Sequence, residues 1–188
     1  MDTPIITDSS LWDLQRGRNI LIKSDIDKDL ALRVMLVLRE MDSESREPIR
    51  ILLDSAGGDV QSGLSIIDAM EVCRSPVHTV CVGMAASMAA VIFCCGDKGH
   101  RTMMRHSRLM VHQPWGSVSS FYMKETDMKV MSDEMTRTRE ALEGILSERT
   151  GLSPAEVSSI CENDHYMGVY EAMRLGFADG ILSSSDYV

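Results

Sequence analysis

A serine, a histidine and an aspartate that lie far apart in the chain have the residue types needed to cleave an acyl bond: Ser87, His112 and Asp164. Ser87 stands in Gly-Met-Ala-Ala-Ser-Met-Ala-Ala, residues 83–90, between an expected strand and an expected helix. A strand can deliver the chain to a tight turn that exposes the hydroxyl. Small neighbours then let backbone and substrate approach. A serine hydroxyl is a weak nucleophile until a base removes its proton. His112 ends the apolar run Leu109-Met110-Val111, and a histidine at a strand end can be held rigidly beside a hydroxyl. Asp164, in Glu-Asn-Asp-His-Tyr-Met, would orient that imidazole and stabilise its charged form. The fourth requirement is a set of donors for the developing oxyanion. Gly57-Gly58 follows an expected strand directly, so a backbone N–H can point into a site with no side chain in the way. The N–H groups of Gly58 and Met88 are the expected pair.

Each residue has a plainer reading. Ser87 also fits an ordinary serine at a buried helix start, Gly57-Gly58 a simple turn, His112 a satisfied core histidine, and Asp164 a cap or solvated charge. Among the other histidines, His100 and His106 sit in a basic loop and His78 begins a strand. His165, next to the candidate acid, is the serious rival as base. Glu162 and Asp179 compete less well, on spacing, for the acid's place.

The elements around these residues alternate. Strands are expected over residues 19–23, 49–54, 77–82, 109–112 and 178–182. Helices are expected over about 28–41, capped by Asp25 with apolar positions at Leu30, Val34, Leu36, Leu38 and Met41, and over 60–72 and 87–95. A long charged helix is expected over 121–149, stopped at Thr150-Gly151. Ser153-Pro154, with Glu156 three residues after the serine, is a capping box that opens a further helix. A last helix spans 169–175 and ends at Gly176. This β-α alternation implies right-handed crossovers and a mostly parallel sheet. The spiral of strand-turn-helix units suits a crotonase-type α/β fold better than a flat nucleotide-binding sheet, and neither Gly-x-Gly-x-x-Gly nor a Walker loop is present.

Bulk properties bound the function. The sequence has 188 residues, enough for one domain with a sizeable core, with 44% hydrophobic and 25% charged residues. A net charge of −9 argues against non-specific binding to nucleic acid or anionic membrane. No window approaches the roughly 18 apolar residues of a spanning helix. The polar start, residues 1–10, lacks the basic and apolar regions of a signal peptide, so a cytoplasmic location is expected. Cys73, Cys81, Cys94, Cys95 and Cys161 form no Cys-x-x-Cys pair and read as small buried hydrophobes in a reducing compartment. No histidine falls at metal-ligand spacing from them. The 15 methionines suit core and interface packing, or a peptide groove that adapts to varied side chains.

Taken together, four segments resemble the proteolytic subunit of the Clp protease, ClpP, of the ClpP/crotonase superfamily. They are residues 53–58 (Leu-Asp-Ser-Ala-Gly-Gly), 83–89, 107–114 (Ser-Arg-Leu-Met-Val-His-Gln-Pro), and 162–164 with Glu171-Ala172 and residues 175–179. They run in family order over about residues 19–182. The order Ser, His, Asp also differs from that of α/β-hydrolases. The resemblance implies Ser87 as nucleophile, His112 as base, Asp164 as its partner, and Gly58 and Met88 as oxyanion donors. It implies a single ClpP-like domain over 1–188, with a short N-terminal segment over 1–17 and a handle over about 116–150. It also implies peptide or unfolded-protein substrates, and a homo-oligomer of heptameric rings stacked as a tetradecamer. An ATP-driven Clp unfoldase would feed the chamber, while this chain needs no metal or cofactor.

Departures from the family pattern suggest a divergent paralogue or a phage relative. Ala56 replaces a usual proline, Ala89 a usual glycine, and Asp59 an apolar residue near the oxyanion donors. Arg50 and Leu52 replace aromatic residues of the unfoldase docking surface. Asn163 replaces an arginine that pairs across rings, Gly116-Ser117 a Gly-Gly pair, and the handle is about three residues longer. The N-terminal part is shorter, implying reduced axial loops. Alternatives to an active endopeptidase are a non-catalytic ring subunit, a phage head-maturation protease, and a crotonase-type acyl-CoA enzyme using carboxylates.

Overall fold

A computed structural model describes residues 17–114 and 124–183. The strands are β1 (Asn19–Ile22), β2 (Ile49–Ser55), β3 (Val77–Ala86), β4 (Arg101–Met103), β5 (Arg108–Val111), β6 (His165–Gly168) and β7 (Gly180–Ile181). The helices are α1 (Lys28–Glu44), α2 (Val60–Val72), α3 (Met88–Cys94), α4 (Glu125–Thr150), α5 (Pro154–Cys161) and α6 (Val169–Arg174). One sheet runs β1-β2-β3-β4-β7, with β5 joined to β3 and β6 joined to β5. Every pairing is parallel except β5 with β6. The fold is therefore the parallel-dominated α/β arrangement that the alternation implied.

The sheet's inner residues supply the core. Ile49, Ile51 and Leu53 alternate inward along β2, and α3 is buried along its whole length. A helix apolar on every side must be covered on every side, and α3 lies in one contiguous apolar cluster with Ile66, Phe177 and Leu146. Cys81, Cys94, Cys95 and Cys161 are buried free thiols and Cys73 is half-buried, as the composition suggested.

Several boundaries differ from the sequence reading. The cap of α1 is Asp27, whose carboxylate accepts the Leu30 N–H at 2.8 Å, and not Asp25. The inward face of α1 is Ala31, Val34, Leu38 and Met41, a stricter 3-4 spacing that leaves Leu36 exposed. Strand β3 runs four residues further than expected, to Ala86, because Gly83–Ala86 pairs with Ser55 and with β5. The last strand shrinks to Gly180–Ile181. Strands β4 and β6 were not anticipated. Helix α4 starts at Glu125; the expected start at residues 121–123, Gly116-Ser117 and the N-terminal segment through residue 16 lie outside the described residues. The capping box at Ser153 and Glu156 forms as expected.

β4 pairs with β3 and β7 and carries a buried arginine. Arg101 is only 3% exposed. It meets Asp179 through two hydrogen bonds, Nη2 to Oδ1 at 2.6 Å and Nε to Oδ2 at 2.9 Å. Its Nη1 donates to the Arg149 carbonyl near the end of α4 at 2.9 Å. Asp179 also accepts the N–H groups of Gly99 and Arg101. Partial burial pushes the Asp179 carboxyl up, but hydrogen bonds and charge from Arg101 outweigh this and hold it below its ordinary value. The pair therefore stabilises the fold fully above the unfolded carboxyl's pKa and loses that contribution as pH falls through the folded one. Asp179→Asn should lower stability at pH 7 by about 3 kcal/mol, since it strands a buried guanidinium. Urea unfolding should show the gap between variant and wild type closing in acid, as the pH falls from the carboxyl's ordinary value through the lowered value that Arg101 imposes on it in the folded state.

Candidate active site

The central strand β3 carries the chain directly into Ser87, which has φ 54° and ψ −124°. A non-glycine residue at positive φ is strained by about 1–3 kcal/mol unless its surroundings enforce it. Here the Ser87 N–H donates to the Met110 carbonyl at 2.8 Å, and helix α3 starts at the next residue. Strand on one side and buried helix on the other force the bend, so the hydroxyl stands at the turn, partly exposed.

Strand β5 brings the base. It pairs with β3 in parallel, Ala86 opposite Met110, and His112 follows two residues later. His112 Nε2 lies 2.8 Å from Ser87 Oγ. Strand β6 brings the acid. It pairs antiparallel with β5, Val111 opposite His165, so His112 and Asp164 lie opposite one another at the next step. His112 Nδ1 is 3.3 Å from Asp164 Oδ1. Gln113 locks this corner by donating its N–H to the Cys161 carbonyl at 2.7 Å and its side-chain amide to the Glu162 carbonyl at 3.1 Å. An ionised carboxylate only accepts, so Nδ1 carries the hydrogen and Nε2 is left to accept from the Ser87 hydroxyl. The Asp164 contact is the looser of the two. It is longer than an ordinary N–H···O bond, and Asp164 is 60% exposed against 14% for His112.

The rivals are placed elsewhere. His165 faces Glu171 at 3.3 Å. His78 stacks on His100, with ring centroids 3.9 Å apart, and His106 is exposed. Asp179 is taken by Arg101, and Glu162 ends α5. The structure thus brings together Ser87, His112 and Asp164.

The glycine pair sits against the same turn. Gly57 and Gly58 have φ of 100° and 151°. A Cβ on Gly57 would come within 2.7 Å of the Ala86 carbonyl oxygen and 3.0 Å of the Met88 nitrogen. A Cβ on Gly58 would come within 2.3 Å of the Ile26 carbonyl oxygen. Ile26 forms a parallel bridge at Gly58, donating to the Gly57 carbonyl and accepting from the Asp59 N–H. That pattern leaves the Gly58 N–H facing away from Ile26. Asp59 is engaged as the cap of α2, accepting from the Ser62 N–H and hydroxyl, which hold its carboxyl below the usual range.

Two cavities flank the Ser87 hydroxyl. One is an open cleft of about 500 Å³ bounded by Asp25, Gly57, Gly58, His112 and Asp164. The other is a narrow apolar pocket lined by Val60, Met88, Val91, Leu142 and Leu146, with Arg139 and Glu143 also on its wall. Sequence reasoning missed Asp25 as a cleft residue and Leu142 and Leu146 as pocket residues, which only the packing of α4 on α3 reveals. Cys161 also borders the pocket, but burial pushes its thiol up to about 11, so it stays protonated at neutral pH. Among the described residues no group of three or more His, Cys, Asp or Glu could hold a metal ion, and no helix is long and apolar enough to cross a membrane.

The backbone geometry can be tested apart from any activity. Glycine tolerates the Ser87 conformation without a Cβ penalty, so Ser87→Gly should be more stable than Ser87→Ala by about 1 kcal/mol. Equal stability of the two by urea unfolding would mean that the bend is not strained.

Known proteins resemble this chain over nearly its whole length. The family model described as Clp protease matches residues 6–185. The ATP-dependent Clp protease proteolytic subunit 2 of Synechococcus sp. is 36% identical over 170 residues, 90% of this chain and 85% of that protein. Proteolytic subunit 1 of Prochlorococcus marinus subsp. pastoris is 37% identical over 170 residues, with the same 90% and 85% coverage. The ATP-dependent Clp protease proteolytic subunit of Leuconostoc citreum is 32% identical over 173 residues, 92% of this chain and 86% of that protein.

Proposed function

The chain belongs to the Clp protease family, and from that premise we propose that it is a serine endopeptidase with Ser87 as nucleophile, His112 as general base and Asp164 as the residue that orients the base. The observation that carries this reading is the 2.8 Å contact between His112 Nε2 and Ser87 Oγ, made at a forced turn beside two glycines. His112 takes the hydroxyl proton as Oγ attacks the peptide carbonyl. The N–H groups of Gly58 and Met88 hold the resulting oxyanion. The imidazolium then protonates the leaving amine, and water, deprotonated by His112, releases the acyl group from Ser87. The apolar pocket receives the side chain on one side of the scissile bond. No metal or nucleotide takes part on this chain.

Residues 1–188 form a single ClpP-like unit in this reading, with a handle over about 116–150. Membership of the Clp protease family, whose relatives are named as subunits of an ATP-dependent protease, supports a ring-forming oligomer fed unfolded protein by a Clp ATPase; in this reading the rings are heptameric and stacked in pairs, as the sequence resemblance implies. Helix α4 supports the assembly. Leu142 and Leu146 are its only buried residues, while Met128, Met131 and Met135 lie exposed along one face. Such a face on a long helix suits contact with another subunit. Five free cysteines and an acidic composition support a cytoplasmic location. A non-catalytic ring subunit is disfavoured by the preserved Ser87–His112 contact, and a crotonase-type reaction by a histidine where a carboxylate would be needed.

Hydrolysis of a fluorogenic peptide tests the assignment. Ser87→Ala and His112→Ala should each abolish turnover without changing the native mass. Asp164→Asn should retain more activity than His112→Ala, because its contact is long and solvated. Turnover surviving in Ser87→Ala would remove Ser87 as nucleophile.

A further inference from the structure

We propose that Asp25 is a specificity-determining residue that favours substrates with a lysine or arginine beside the scissile bond. This rests on the peptidase reading above and concerns the same cleft. The sequence suggested Asp25 as a helix cap, but Asp27 takes that place, which leaves the Asp25 carboxylate free for another role. Among the described residues it accepts no hydrogen bond and makes no ion pair.

Its position is fixed by the backbone on both sides. The preceding residue, Ser24, accepts the Ser55 hydroxyl on its carbonyl at 2.6 Å. Ser55 Oγ in turn accepts the Gly57 N–H at 3.1 Å. The following residue, Ile26, donates to the Gly57 carbonyl at 2.8 Å and accepts from the Asp59 N–H at 2.7 Å. Asp25 is therefore strapped to the turn that presents the oxyanion glycine, and it borders the cleft shared with Ser87 and His112. The cleft's volume, about 500 Å³, lies within the range of about 300–1,000 Å³ typical of ligand sites.

Charge gives the cleft its preference. Asp25 and Asp164 both line it, and among the described residues no lysine or arginine does. Asp164 faces His112, whereas Asp25 is exposed and its carboxylate has no partner among the described residues. The neighbouring apolar pocket carries one arginine and one glutamate, Arg139 and Glu143, and so is balanced. Charge discrimination therefore belongs to the open cleft. A solvated carboxylate–ammonium pair is weak, so Asp25 should confer about a two- to fivefold preference, equivalent to about 0.4–1 kcal/mol.

The test uses three quenched-fluorescent peptides that differ only in a lysine, a glutamine or a glutamate next to the cleaved bond. Wild-type kcat/KM should be about two- to fivefold higher for lysine than for glutamine, and lowest for glutamate. High salt should compress the series. Asp25→Asn should bring the lysine-to-glutamine ratio close to one, Asp25→Glu should keep it, and Asp25→Lys should reverse it. A ratio unchanged in Asp25→Asn, or no charge preference in the wild type, would overturn the inference. Cleavage of the glutamine peptide separates the two claims. If that peptide is cleaved without charge preference, only the role of Asp25 fails; if Ser87-dependent cleavage is absent altogether, the peptidase reading fails and this one with it.

Discussion

Strand β5 is four residues long, and its register on two neighbours determines whether a site exists. Its parallel pairing with β3 sets Met110 beside Ala86 and so brings His112 to Ser87. Its antiparallel pairing with β6 sets Val111 beside His165 and so brings Asp164 to His112. A one-residue slip in either ladder would turn the outer partner to the opposite face of the sheet. The pairing is held by more than its own few bonds. Leu109 and Val111 are buried on one side, Met167 packs among them from β6, and Gln113 clasps the carbonyls of Cys161 and Glu162 just beyond the strand.

The same region stores strain. Ser87 has a positive φ without being glycine, and Gly57 and Gly58 hold backbone conformations in contacts too close for a side chain. Strain of this kind persists where surrounding structure over-determines it, and it gathers at functional sites. The surroundings here are rigid. The strands β2 and β3 are buried at the sheet centre, and α3 is enclosed on all sides. The Arg101–Asp179 pair then anchors the end of α4 and the C-terminal segment to the opposite end of the sheet.

Much of this was legible in the sequence because the relevant signals are local. Gly57-Gly58 after an apolar run, the small residues around Ser87, and a histidine closing Leu-Met-Val each mark an element's end, where a site can be placed. The capping box at Ser153 needed only two residues three apart. What escaped detection depends on distant partners. Arg101 looks solvated among Lys98, His100 and Arg105 until Asp179, far along the chain, is seen to satisfy it. Residues Gly83–Ala86 have little β-propensity, yet pairing on both sides makes them strand. Asp25 and Asp27 are equally good caps by type, and only the bridge of Ile26 to Gly58 decides between them. Leu36 belongs to the apolar count of α1 but not to its inward face.

These observations converge on one chemical claim, that the Ser87 hydroxyl is activated by the His112 imidazole. Reaction of the purified, assembled protein with a fluorophosphonate, followed by intact mass and peptide mapping, measures this activation directly. The expected result is one phosphonyl group per chain on the peptide containing Ser87, with the adduct lost in His112→Ala. An unreactive protein, an adduct on another residue, or labelling of Ser87 at an unchanged rate in His112→Ala would contradict it.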